Sequence, residues 1–335
     1  QKFLNIFERI KVVKSKKKEV KAMKIDKDSQ TIGVAHYSDH LLTLARVSIN
    51  QKNQILVSGV VEVPIPGHVI GDSLIEDKNE LADVILDLTN LLSLKNSPLL
   101  IILSSSLFKV HTFFSSELKQ ISNTDYKVQS KSPYLPADTF VEFRNMSKKS
   151  AKHKLLRTVY ASRKSIESWT NMLEIINVPI IGIAPAAPNI FDVLSGKLSE
   201  SITILIDIEI TTTTVLIGKK SADLTSHRLP YGSSLYISNE NYELSNNYFS
   251  RVLASIDLII SEYDEKLPTS IFVIGKGLDN IIKGDIPLPT RFRRASEILS
   301  GNYTYSPQKM EVHELASNSI DSTIDTLSCI ASSCL

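Results

Sequence analysis

The sequence predicts an α/β protein built from two related strand-strand-strand-helix-strand units, with a small α+β insertion in the first. Three observations lead there. Ile202–Gly218, ITILIDIEITTTTVLIG, reads as two β-branched strands joined by a tight turn at Asp207-Ile208-Glu209-Ile210-Thr211, because apolar runs bounded by a turn mark a strand pair. The elements following this pair repeat the order seen in the first third of the chain, which points to an internal duplication. Between the copies, from Leu107 to Ser162, periodicity weakens and short strands alternate with loops.

The first unit opens with strands at Thr31–Ala35, Leu41–Ser48 and Gln54–Val63, the last ended by Pro64 and Pro66. Glu76–Leu94 then places Leu81, Val84, Ile85, Leu88 and Leu92 on one helical face, with Glu76, Asp77 and Glu80 at its N-terminal end, where acidic groups favour a helix start. Pro98–Leu103 is apolar throughout and reads as a central strand. Three antiparallel strands, a helix and a parallel strand begin an RNase H-like domain. In the insertion, strands are expected at Lys109–Phe114, Lys127–Ser130, Val141–Arg144 and Leu155–Ala161. Arg163–Ile176 carries Ile166, Trp169, Met172 and Ile176 at helical spacing, with Trp169 read as a core residue, and Val178–Ile183 is the next buried strand.

The second unit starts at Ile202 and continues through a strand at Leu224–Leu229, closed by the Pro230-Tyr231-Gly232 turn. A helix over Phe249–Tyr263 turns Val252, Leu253, Ile256 and Ile260 inward, and the strand Ser270–Ile274 ends in Gly275-Lys276-Gly277. Lys283–Tyr305 is expected to be mostly loop and Leu315–Ala331 a last helix. The predicted division is a basic arm at 1–24, a first domain at 25–106 plus 163–200, an inserted subdomain at 107–162 and a second domain at 201–335.

A chain of 335 residues, 42% hydrophobic and 22% charged, has the size and composition of a soluble globular protein of about two domains. Its longest apolar runs, Pro98–Leu103 and Val178–Ala187, fall short of the roughly 20 residues a membrane-spanning helix needs. No secretory signal is read, and the two cysteines, Cys329 and Cys334, suit a reducing cytoplasm. Charge is uneven. Residues 1–24 carry nine Lys/Arg against Glu8 and Glu19, leaving −5 for the rest of a chain whose total is +2. With Phe3, Phe7 and Ile10 at helical spacing, this arm is either a peripheral contact to an anionic membrane or a solvated tail. Nucleic acid is not an expected partner, since no aromatic platform accompanies the charge.

Several segments together resemble the actin-like PilM family of type IV pilus assembly, kin of the division protein FtsA. They are the Ile32-Gly33-Val34 start, Leu135-Pro136-Ala137-Asp138, the strand-helix-strand over Leu155–Ile183, the hairpin at Asp207 and the Tyr231-Gly232-Ser233 turn. The insertion lies where that family places its subdomain 1C. The resemblance implies an actin-like fold of duplicated RNase H-like domains, with ATP and Mg²⁺ held between them by two hairpins and a glycine turn. If ATP is bound, it assigns Asp207, Thr211, Gly275 and Gly277 as cofactor-binding residues. It also implies a partner: the cytoplasmic N-terminal peptide of a PilN-like inner-membrane protein, held in a groove of subdomains 1A and 1C.

Set against the family pattern, the phosphate hairpins depart. The first reads Ile32-Gly33-Val34-Ala35-His36-Tyr37-Ser38. Ala35 removes the expected carboxylate, and Tyr37 stands at a glycine position; Asp39 could compensate if the turn shifts. In the second hairpin Glu209 replaces the glycine after Asp207, and a carboxylate facing phosphates is repulsive without an intervening cation. Only the Gly275-Lys276-Gly277 turn keeps both glycines. The sequence therefore predicts no catalytic residues, no metal site and no tightly bound cofactor. The scattered histidines form no ligand set: His36 and His40 sit on a hairpin, not a helix. Ser104-Ser105-Ser106 and Thr211–Thr214 read as strand-end residues with no base beside them. The expected function is a cytoplasmic scaffold at the inner-membrane periphery in pilus assembly. A functional actin-like ATPase of the FtsA or PilM type remains the alternative. The secretion relative GspL has a degenerate actin-like fold that continues into a transmembrane helix, and no such helix is read here.

Overall fold

The computed structural model describes residues 30–38, 40–49, 55–71, 74–114, 126–146, 155–198, 202–219, 224–236, 242–261, 269–281, 288, 291–299 and 303–305. The N-terminal arm, Asp39, the expected helix at 315–331 and both cysteines lie outside these residues.

Strands β1 (Gln30–Ser38), β2 (Leu41–Ile49) and β3 (Ile55–Pro64) form an antiparallel meander. A two-residue pair, β4 (Ile70–Gly71) and β5 (Leu74–Ile75), leads into helix α1 (Lys78–Leu91). Asp77 caps α1 by accepting from the backbone N–H groups of Asn79 and Glu80, both at 3.0 Å, which satisfies donors the first turn would otherwise leave free. Leu81, Ile85 and Leu88 are its buried stripe. Strand β6 (Leu99–Leu103) runs parallel to β1 and is buried at every position, as a strand covered on both faces must be.

The insertion follows as β7 (Phe108–Phe114), a short helix α2 (Tyr126–Gln129), β8 (Thr139–Asn145) and β9 (Leu155–Ser162), with sheet order β7-β9-β8. The strand expected at Lys127–Ser130 is thus corrected to helix. Four residues cannot separate the two periods, and a tertiary contact decides: Val128 is buried and its carbonyl accepts from the Tyr160 hydroxyl at 2.8 Å. Helix α3 (Arg163–Ile176), capped by Ser162 and ended by Asn177 in the left-handed region (φ 48°), returns the chain to β10 (Ile180–Pro185), parallel to β6. Trp169 is fully buried as expected, its ring 5.5 Å from that of Tyr37.

A helix the sequence reading did not foresee comes next, α4 (Ala186–Lys197). Pro188 falls in its first turn, where its missing N–H costs nothing. Pro185 offers no capping side chain, and the Ser105 hydroxyl accepts from the Ala187 N–H at 2.9 Å instead. The second unit has β11 (Ile202–Ile208), β12 (Thr213–Lys219), β13 (Thr225–Leu229), α5 (Tyr242–Ile260) and β14 (Thr269–Ile274). After the short helix α6 (Leu278–Ile281), strand β15 (Phe292–Arg294), helix α7 (Ser296–Leu299) and strand β16 (Tyr303–Tyr305) occupy a region expected to be mostly loop. Elements this short leave no periodic signal, because pairing with a distant edge defines them.

The sheets run β10-β6-β1-β2-β3 and β13-β12-β11-β14-β15, each with three antiparallel strands followed by two parallel ones. This is the duplicated RNase H-like order, interrupted by the α+β insertion. Strand β16 lies in the range assigned to the second domain, yet it adds to the first sheet beside β3, in parallel. One buried layer joins the two sheets: Ala187, Ile190, Phe191 and Leu194 of α4 pack with Val34 and Val47 from one side and Leu205 and Phe272 from the other. Lys197, at the end of α4, donates to the carbonyl of Ile298 in α7 at 2.9 Å. The insertion is tied to β13, where the Ser226 hydroxyl accepts from Val110 N–H at 2.7 Å, and to α4, where Arg157 is paired with Asp192 at 2.7 and 2.8 Å.

Candidate functional site

Parallel strands in open α/β sheets place ligands at their C-terminal ends. Here the ends of β1, β6, β11 and β14 meet in a polar layer between the two sheets. Its centre is Glu209, 3% exposed, in the loop from β11 to β12. Its Oε1 accepts from the hydroxyl of Ser104, just beyond β6, and from that of Ser38, at the end of β1, at 3.4 Å. Its Oε2 accepts from Thr212 Oγ1 at 2.9 Å. The loop itself is rigidly held. Ile208 O accepts from Gly277 N–H at 2.9 Å, Glu209 O from Ser233 N–H at 2.9 Å and Ile210 O from Ser234 N–H at 2.7 Å.

A second contact crosses the layer: Lys276 forms an ion pair with Glu62 on β3, whose Oε2 also accepts from Thr43 Oγ1 at 2.6 Å. His36 lies beside it. Burial, with Lys276 nearby as the smaller cause, lowers the His36 imidazole from 6.5 to about 3. The folded chain thus refuses a proton that the unfolded chain takes up below pH 6.5. Stability should fall as pH drops from 6.5 towards 3, at up to about 1.4 kcal/mol per pH unit from this group. Urea midpoints at pH 7 and pH 5 would show it, and His36→Leu should flatten the slope; equal slopes would remove His36 from the account.

The four residues assigned to a nucleotide separate into two groups. Asp207, Gly275 and Gly277 come together: Asp207 is buried at the end of β11, and a Cβ added at Gly275 would lie 2.7 Å from its Oδ1. A Cβ at Gly277 would lie 2.6 Å from Glu209 O. Thr211 stands apart, exposed at the loop tip, and its neighbour Thr212 makes the inward contact. The expectation for Tyr37 is corrected. Successive residues of a strand face opposite sides, so the ring points away from the cleft into the core against Trp169, and it is His36 and Ser38 that face the polar layer. Ser104–Ser106 are strand-end residues as read, but with specific partners: Ser104 holds Glu209, Ser105 caps α4, and Ser106 N–H donates to Ser104 Oγ at 3.2 Å. Ser38, Thr43, Glu62, Ser104 and Thr212 were not foreseen. The signal for them was the carboxylate at position 209, which needed donors once buried.

These residues do not fit a Mg²⁺-nucleotide. Between the hairpins, where phosphates of an actin-like site would lie, stands a buried carboxylate. The glycine turn meets the protein's own loop rather than leaving room beside it. Among the described residues no cluster of metal-binding side chains is present.

No protein-family model matches the sequence, and no curated protein matches it. Among solved structures, the chain is similar to one from the PilM-PilN type IV pilus biogenesis complex, with a TM-score of 0.63 and 10% identity over 92% of this chain and 99% of that one. Weaker likenesses include a Bacteroides thetaiotaomicron protein with an actin-like ATPase fold, at 0.44 and 12% identity over 74% and 82% of the two chains. Another is the cytoplasmic domain of EpsL, an inner-membrane component of the Vibrio cholerae type II secretion system, at 0.43 and 10% over 90% and 95%. Two RNase H-like sheets around α4, an insertion between β6 and α3, and a likeness to the pilus-complex chain along nearly its whole length give this protein the actin-like fold in a PilM-like arrangement.

Proposed function

We propose that this chain is a cytoplasmic scaffold of a type IV pilus assembly machine at the inner membrane, which binds the cytoplasmic peptide of a PilN-like protein and works without nucleotide. The likeness to a chain of the PilM-PilN complex over 92% of this chain and 99% of that one carries the reading. Glu209 in the cleft supports the absence of nucleotide. No helix among the described residues is long and apolar enough to cross a membrane; in this reading the partner brings the chain to the membrane, and the basic arm at 1–24 adds a peripheral contact. The alternative, a working actin-like ATPase, draws on Asp207 and the Gly275-Lys276-Gly277 turn, with Thr211 as the remaining contact.

The test is co-purification of the full chain with a PilN-like single-span membrane protein from the same genome, with and without millimolar Mg²⁺-ATP. Capture unaffected by nucleotide is the expected result. Capture that requires Mg²⁺-ATP would promote the ATPase reading, and no capture under either condition would overturn the scaffold.

A further inference from the structure

We propose that Glu209 is a built-in clasp: its carboxylate takes the place of an anionic ligand in the cleft and holds the two sheets together with no ligand bound. The inference goes beyond the pilus reading and holds whichever partner the chain serves. A carboxylate buried without donors would be strongly unfavourable. Here the donors are hydroxyls from both sides, Ser38 and Ser104 from the first sheet and Thr212 from its own loop. Hydrogen bonds to a charged acceptor are among the strong ones, and hydroxyls are groups that would equally serve a phosphate oxygen.

The geometry is fixed from both directions. Backbone bonds from Gly277, Ser233 and Ser234 pin the loop that presents the carboxylate, so it cannot follow the first sheet if that sheet moves away. Ser104 Oγ accepts from Ser106 N–H and lies 2.6 Å from Ser106 Oγ. Lys276 with Glu62 and Thr43 forms a second fastening, placed on β2 and β3 rather than β1 and β6. Two fastenings on different strands resist twisting as well as opening.

Hydrogen exchange of the full chain tests the clasp. In Glu209→Ala, and separately in the Ser38→Ala/Ser104→Ala double variant, amides at 36–38, 101–107 and 207–212 should exchange about ten- to a hundredfold faster, as expected when charge-assisted hydrogen bonds are lost. Amides of α1 should keep the wild-type rate. The double variant leaves the Glu209–Thr212 contact intact, so it decides the matter if Glu209→Ala fails to fold. Acceleration confined to 208–213 in Glu209→Ala would reduce Glu209 to a stabiliser of its own turn and overturn the proposal. A double variant that exchanges like wild type would overturn it as well.

Discussion

Gly275→Ala should destabilise the protein by roughly 3–5 kcal/mol, a loss in the range of severe core defects. Two independent strains add. Gly275 has φ +111°, a conformation that L side chains rarely adopt. An added Cβ would also stand 2.2 Å from the carbonyl oxygen of Ile208 and 2.8 Å from its nitrogen. Those are backbone atoms at the end of β11, next to Glu209, so no side chain can swing aside. Urea denaturation of the purified variant measures the effect. A glycine kept only to admit a nucleotide would tolerate alanine with no loss of stability in the absence of ligand, and a loss below about 1 kcal/mol would support that role instead.

Asp192→Ala should cost a similar amount, about 3–5 kcal/mol, by a different route. Arg157 on β9 is only 2% exposed and is held by both oxygens of Asp192, which also lies 3.7 Å from Arg144. Removing the carboxylate takes two charge-assisted hydrogen bonds from a buried guanidinium. The double variant Arg157→Met/Asp192→Leu should recover most of the loss, because replacing a buried pair by apolar groups of similar size is often neutral. Failure of the double variant to recover would mean that Asp192 acts mainly through Arg144 or through packing of α4. The pair joins the insertion to the central helix, so thermal melts of Asp192→Ala should also report on how firmly that subdomain is attached.

The sequence made the sheet strands legible wherever five or more residues carried a continuous apolar or alternating pattern. The duplicated order followed from them, down to the buried faces of α1 and α3. Helix α4 escaped because its start reads Pro185-Ala186-Ala187-Pro188, which resembles the end of a strand, and its cap comes from Ser105, far away in sequence. Strands β15 and β16 escaped because three residues hold no period. At the site, Glu209 was visible as a departure from a glycine, and its repulsion of phosphate follows from charge alone. That it is buried and fed by Ser38 and Ser104 depends on two chain segments more than 100 residues apart meeting. Tyr37 was misplaced for a simpler reason: alignment to a motif supplied its position without asking which face of β1 it occupied.

The bond between Lys197 and Ile298 has a mechanical consequence. The chain passes from the first sheet to the second after α4 and returns before β16, and this bond ties the two passages side by side at the far end of α4. Two tethers fastened together set the line about which any opening would turn, since sliding would stretch one tether or the other, and such opening would also have to part the α4 layer and the Val110–Ser226 bond. The N-terminal end of α4, capped by Ser105, lies next to Ser104 and hence to Glu209. The helix is therefore the lever arm, about 18 Å for its 12 residues. A rotation of about 10° would displace the Glu209 carboxylate by about 3 Å, enough to take all of its first-sheet donors out of hydrogen-bond range. Opening should thus be close to all-or-none, with no stable half-open position between.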